Sequence, residues 1–162
     1  MKLLLLLLFL SLLTLSAGSY DFDETRYIYS IDKTLEMQGK ITFDKKGMHI
    51  DYSAPQERHI IYDGLSMDVV DEAGEIVQHV DLDDQPMMKI YMDFIHKLYR
   101  GDYDALSENF TITKSTKIII LQPIEPIDKV IKSVVVHKSN DRLEQIKTEM
   151  SSGDEITLKI KY

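Results

Sequence analysis

Between Tyr27 and Leu82 apolar and polar residues alternate, and turn chemistry interrupts the alternation every few residues. Period-two alternation is the mark of strands with one face buried and the other wet. The stretch IDYSAPQERHIIYDG, residues 50–64, shows the pattern most clearly. Pro55 has no N–H to give to a ladder and holds Ala54 extended, so it marks a corner between two strands. Asp63-Gly64 reads as the two central residues of a type I′ turn, both of which require positive φ. Strands spaced this closely can be joined only as antiparallel neighbours.

The same reasoning predicts strands over 27–31, 35–43, 48–53, 58–62, 65–70 and 76–82, broken at Lys46-Gly47, Ala54-Pro55, Asp63-Gly64 and Ala73-Gly74. It continues with 110–113, 117–122, 131–138, 143–150 and 155–162, with a polar hairpin turn at 138–144. About eleven short strands make a mainly β chain, built as a sandwich or as an antiparallel, strongly curved, barrel-like sheet.

One face of this meander is apolar. Ile41, Phe43, Met48, Ile50, Tyr52, Leu65, Met67 and Val69 share a parity within their strands, whereas Lys40, Thr42, His49, Asp51, Ser66 and Asp68 take the other. A sheet with one apolar side must cover it. The strong helical segment begins at Pro86, a first-turn residue that follows Asp83 and Asp84. Met88, Met92, Ile95 and Tyr99 form one apolar stripe and Met87, Tyr91, Phe94 and Leu98 its neighbour. Gly101 ends this helix, and Asp102 is placed to cap a shorter one through Leu106. Two readings stay open: a core helix plugging the sheet, or a cover over a lipid-sized cavity.

Composition limits the partners. The 162 residues, 44% of them hydrophobic, suit one domain with one sizeable core. A formal charge of -8 and no large basic patch argue against nucleic acid. There is no cysteine, which removes disulfides, thiol catalysis and Cys–metal sites together. The opening MKLLLLLLFLSLLTLSAGSY has one basic residue, an apolar run and small residues from Ser16 to Ser19, the form of a secretory signal peptide. The expectation is a leader over 1–19, cleaved around Ala17–Ser19, and an exported acidic domain over 20–162; a membrane anchor is the rival reading.

Catalytic signatures are missing. The five histidines, His49, His59, His79, His96 and His137, form no pair at helical metal-ligand spacing. No Gly-x-Ser-x-Gly elbow and no Gly-rich phosphate loop appears. Asp81, Asp83 and Asp84 lack the ligand spacing of a calcium loop and read as a solvated helix entry. The expectation is no enzyme, no metal and no cofactor.

The stretch GKITFDKKGMHIDYSAPQERHIIYDG resembles the signature of LolA-type outer-membrane lipoprotein carriers and their LolA-like relatives. Its elements are a strand into a Gly-containing turn, an apolar and aromatic strand, a Pro corner, and a strand closing on Asp-Gly. YRGDYDALSENFTI and the following IIILQPIEPIDKVIKSVVV resemble the branch thought to work beside large lipid exporters. The chain departs from the better-known carriers in starting with a strand-like SYDFDETRYIYSID instead of a helix, in having Lys45-Lys46-Gly47 at the turn with no Arg there, and in lacking Trp. Those departures favour the exporter-linked branch.

The resemblance implies an unclosed β-barrel covered by one or two helices and a monomeric, non-enzymatic periplasmic carrier. It would take lipoprotein acyl chains or another acyl lipid from an inner-membrane exporter towards an outer-membrane acceptor. The eight face residues above would wall the cavity, and Met88, Met92, Ile95 and Tyr99 would form the lid. The alternative is an envelope interaction module with a filled β-sandwich core, its helix docking a partner protein or exporter.

Overall fold

The structure, a computed structural model, describes residues 18–44, 47–140 and 142–162. The expected leader up to Ala17 and the Lys45-Lys46 pair lie outside the described residues. Eleven strands run in order: β1 (Ser19–Ile28), β2 (Lys33–Phe43), β3 (Met48–Ala54), β4 (Arg58–Tyr62), β5 (Ser66–Asp71), β6 (Ile76–Asp81), β7 (Phe110–Lys114), β8 (Ile118–Pro123), β9 (Ile131–Ser139), β10 (Arg142–Met150) and β11 (Glu155–Lys161). Among the described residues one α-helix, α1 (Pro86–Tyr99), joins β6 to β7. The chain is mainly antiparallel β, as expected, and the choice between sandwich and curved sheet falls on the sheet.

All eleven strands belong to one sheet, in the order β6-β5-β4-β3-β2-β1-β11-β10-β9-β8-β7. The pairing of β1 with β11 joins the first and last strands at the middle of the sheet. Strands β6 and β7 are the two edges, so the sheet does not close. Helix α1 spans the interval between those edges, and ring contacts reveal how strongly the sheet bends. His96 lies 5.8 Å from the Tyr62 ring on β4, and Phe94 stacks 4.9 Å from Phe110 on β7. On a flat sheet those strands, eight places apart in the order, would stand about 38 Å from each other at about 4.8 Å per strand. A helix only about 10–12 Å across touches both, so the sheet curls around it.

The core follows from parity. Ile41 sits opposite Ile50, Phe43 opposite Met48, Met48 opposite Tyr62, and Tyr62 opposite Met67. On the other half Val136, Ile146 and Leu158 make a matching row, with Val136 opposite Ile146 and Ile146 opposite Leu158. These side chains and Met92, Phe94, Ile95, Leu98 and Tyr99 of α1 form one buried cluster. The opposite face is wet and carries cross-strand hydrogen bonds, such as His59 Nδ1 with Asp51 at 2.8 Å and His79 Nδ1 with Asp68 at 2.5 Å.

Several local expectations need correction. The Asp63-Gly64 hairpin is built one residue later: the Asp63 N–H donates to the Ser66 carbonyl at 3.3 Å, leaving Gly64 and Leu65 at the centre. Positive φ is confined to Gly64, at 91°, which is the type II′ pattern with glycine first. The Asp63 carboxylate locks this turn by accepting from the backbone N–H groups of Leu65 and Ser66 at 2.8 and 2.7 Å. Leu65 therefore sits on the turn, 64% exposed, and not on the apolar face.

Tyr29–Ile31 is a single 3-10 turn rather than the end of a strand. The second helix is likewise one 3-10 turn, Asp104–Leu106, with Tyr103 at its N-cap. Asp102 serves the preceding helix instead. Its N–H donates to the Lys97 carbonyl, and that of Gly101 (φ 76°) to the Leu98 carbonyl, the paired bonds of a Schellman close.

Candidate functional site

Inward-facing residues of β1 carry an unusual pair of charges. Tyr20, Phe22, Glu24 and Arg26 share the parity that faces α1, and Glu24 is only 3% exposed. A buried carboxylate is tolerable only if its lone pairs are met. The Arg26 guanidinium donates to Glu24 Oε1 at 2.7 Å, and the Tyr52 hydroxyl donates to Oε2 at 2.9 Å. Tyr52 can reach because Gly39, its cross-strand partner, has no side chain. A Cβ on Gly39 would stand 2.4 Å from the Asp51 carbonyl and 2.8 Å from the Phe22 ring. The Tyr52 ring stands edge-on to Phe22 at 5.6 Å, and the Arg58 guanidinium lies over it at 5.0 Å.

These groups tune one another. Burial, reinforced by the charge of Glu24 and the bond to it, pushes the Tyr52 phenol well up, against the opposing pull of Arg26 and Arg58. Burial also raises the Tyr99 and Tyr91 phenols on α1, with Glu24 adding to both. Burial alone would weaken the Arg26 cation, but Glu24, Tyr52 and Tyr91 more than offset it and hold the guanidinium above its ordinary value. The three tyrosines therefore stay neutral and Arg26 cationic at neutral pH.

Arg26 opens onto a cleft of about 400 Å³ between the start of α1 and the sheet. Met87, Met88 and Tyr91 of the helix form one wall, and Val130, Met150 and Ile156 form the other. Arg26 and Asp154 are its polar lining residues. The size and lining are those of a site for a small apolar group with a few polar contacts. A second cleft, of about 580 Å³, lies along α1 beside Tyr62 and Gly64. It is lined by Lys89, Asp93, Lys97, Arg100 and Asp102 together with Ile90 and His96, and Lys97 pairs with Asp93 at 2.6 Å. That groove is ionic and offers little to a hydrocarbon chain.

The residues expected to wall a cavity are mostly packed. Ile41 and Met48 are fully buried, Phe43, Ile50, Tyr52 and Met67 nearly so, Val69 is half-buried, and Leu65 points to solvent. On the helix, Met92, Ile95 and Tyr99 are buried in the core and Met88 is half-buried at the apolar cleft. Of the expected lid stripe only Met88 lines that cleft. Arg26, Val130, Met150 and Ile156 were not singled out from the sequence. The available signal was two opposite charges, Glu24 and Arg26, at the parity of Phe22.

Among the described residues no group of three or more His, Asp and Glu side chains could hold a metal ion, and no helix is long and apolar enough to cross a membrane. No protein-family model matches the chain, and no curated protein matches its sequence.

Proposed function

We propose that this chain is a non-enzymatic carrier for an acyl-bearing cargo, of the kind its resemblance to LolA-like proteins implies. It would hold the acyl chain in the cleft between α1 and strands β1, β10 and β11, with α1 as a movable cover. It would work in the periplasm, between an inner-membrane exporter and an outer-membrane acceptor. The observation that carries this reading is the apolar cleft of about 400 Å³ between the start of α1 and the central strands β1, β11 and β10. Each methylene taken out of water contributes about 0.8 kcal/mol, so even a short acyl segment gains from entering it. Met87, Met88 and Met150 suit walls that must adapt, because the thioether chain is flexible and polarizable. Deeper entry requires α1 to lift from the residues it now covers.

A second reading has its own support. Full burial of Ile41, Met48 and Leu98 is what a filled core gives, and such a core belongs to an interaction module. One experiment separates the two: titration of the purified protein with a fluorescent fatty-acyl probe, alongside mass spectrometry of its organic extract. The carrier should bind the probe saturably at about one per chain, and Met88→Asp should weaken binding roughly tenfold or more by placing a charge in the cleft. A folded protein that binds no probe and yields no lipid is the module.

A further inference from the structure

We propose that the free edge of β6 docks an extended, basic segment of a partner protein, which adds to the sheet as a further strand. The proposal is independent of what the cleft holds. Among the described residues β6 pairs with β5 alone. The Leu82 N–H donates to the Leu65 carbonyl at 3.0 Å, and the same register sets Val80 opposite Met67 and Gln78 opposite Val69. In an antiparallel ladder successive residues turn their backbone groups to alternate sides. The N–H and C=O groups of His79 and Asp81 therefore face outward, where no strand of the sheet meets them. Native edges are commonly blunted with lysine or proline. β6 contains neither, and it presents Ile76 and Val77 to solvent, each 61% exposed. An added strand uses both features: backbone bonds for affinity and side-chain contacts for choice of partner.

Charge decides which strand fits. Residues 59–88 contain eight acidic side chains and no lysine or arginine, whereas the whole chain has 27 acidic and 19 basic residues. The remainder is thus balanced, and the entire excess of -8 lies in the segment that builds β5, β6 and their flanks. Exposed carboxylates bracket the edge, Glu72 and Glu75 before β6 and Asp81 and Asp84 at its far end. Two cations border the segment: Lys89 pairs with Asp83 at 2.5 Å, and Arg58 stands opposite Asp71 in the ladder. A second copy brought to this edge would set its own carboxylates against these, which disfavours a dimer through β6. A strand with lysine or arginine at both ends and β-branched residues between them complements the edge in either direction.

The test titrates the purified protein with the end-blocked peptide KKVTVTKK, following amide exchange by NMR, with EEVTVTEE and KKPPPPKK as controls. KKVTVTKK should bind and slow exchange of the His79 and Asp81 N–H groups about tenfold or more, leaving the central strands unchanged. The acidic peptide should bind at least about tenfold more weakly, and so should the proline peptide, which keeps the charge but has no N–H in its centre. Binding should also weaken as salt rises from about 0.05 to 0.5 M. His79→Pro, a change that an outward-facing edge position tolerates, removes one free donor and should weaken KKVTVTKK several-fold. Equal binding of KKVTVTKK and KKPPPPKK overturns the proposal, and so does exchange in β6 that KKVTVTKK leaves unchanged. Protection of β6 without peptide, in a protein that sediments as a dimer, overturns it by making a second copy the occupant. The wild-type comparison of peptides decides the matter even if His79→Pro does not fold.

Discussion

His96 illustrates how one residue's surroundings set its chemistry. It sits amid apolar neighbours on α1, 9% exposed, wedged between the Phe43 and Tyr62 rings, with Nε2 unpartnered. Burial lowers its pKa below 6.5, Arg100 and Lys97 push the same way, and Asp93 and Asp44 oppose them without prevailing. The unfolded chain therefore takes up a proton first as pH falls through about 6.5, and the native state loses stability from there downwards. Above that pH the neutral imidazole carries no such penalty. His96→Leu should consequently lose less stability than the wild type between pH 7.5 and 5.5, read from urea midpoints at each pH. Parallel slopes for the two proteins would show that His96 accepts its proton in place.

At the scale of elements, the contact between β2 and β3 depends on an absent side chain. Gly39 lets the Tyr52 ring lie across β2 and reach Glu24, and no other residue fits beneath the Asp51 carbonyl. Gly39→Ala should cost about 1–3 kcal/mol, because the strands must part or the Phe22 ring must leave its packing. Thermal unfolding of the variant checks this, and a melting temperature within a degree of wild type would contradict the tight approach. The turn between β4 and β5 teaches the complementary lesson. Asp63 and Gly64 are legible as turn residues, but which two occupy its centre depends on where the ladder from β3 to β5 places its last pair, Tyr62 with Met67. That one-residue difference is what leaves Leu65 in solvent.

For the whole molecule the decisive feature is a sheet with two free edges and, among the described residues, a single α-helix between them. The central strands β1, β2 and β11 are paired on both sides, whereas β6 pairs only with β5 and is exposed at five of its six positions. Amide hydrogen exchange should therefore be slow in β1, β2, β10 and β11 and faster by orders of magnitude in the outward N–H groups of β6. Uniform protection of β6 would mean that a second chain pairs with that edge, against the expectation of a monomer. The unclosed design also leaves the α1 side of the molecule without sheet cover.

By itself the sequence determined the strands, because alternation and turn chemistry are local. Strands β2 to β11, the corner at Pro55, the helix from Pro86 and its end at Gly101 could be read from neighbours along the chain, whereas the first strand, expected over 27–31, runs over Ser19–Ile28. It also determined which side of β2 and β3 is apolar, since parity survives any choice of partner. Only the tertiary structure decided where the open space lies. The cleft joins Arg26, Met88, Met150 and Ile156, residues separated by up to 130 positions, and no local pattern ties β1 to β11. The expected wall, Ile41 through Met67, is instead closed by α1 packing onto it. Whether an apolar face stays open depends on the volume left after its cover settles, a sum over distant side chains.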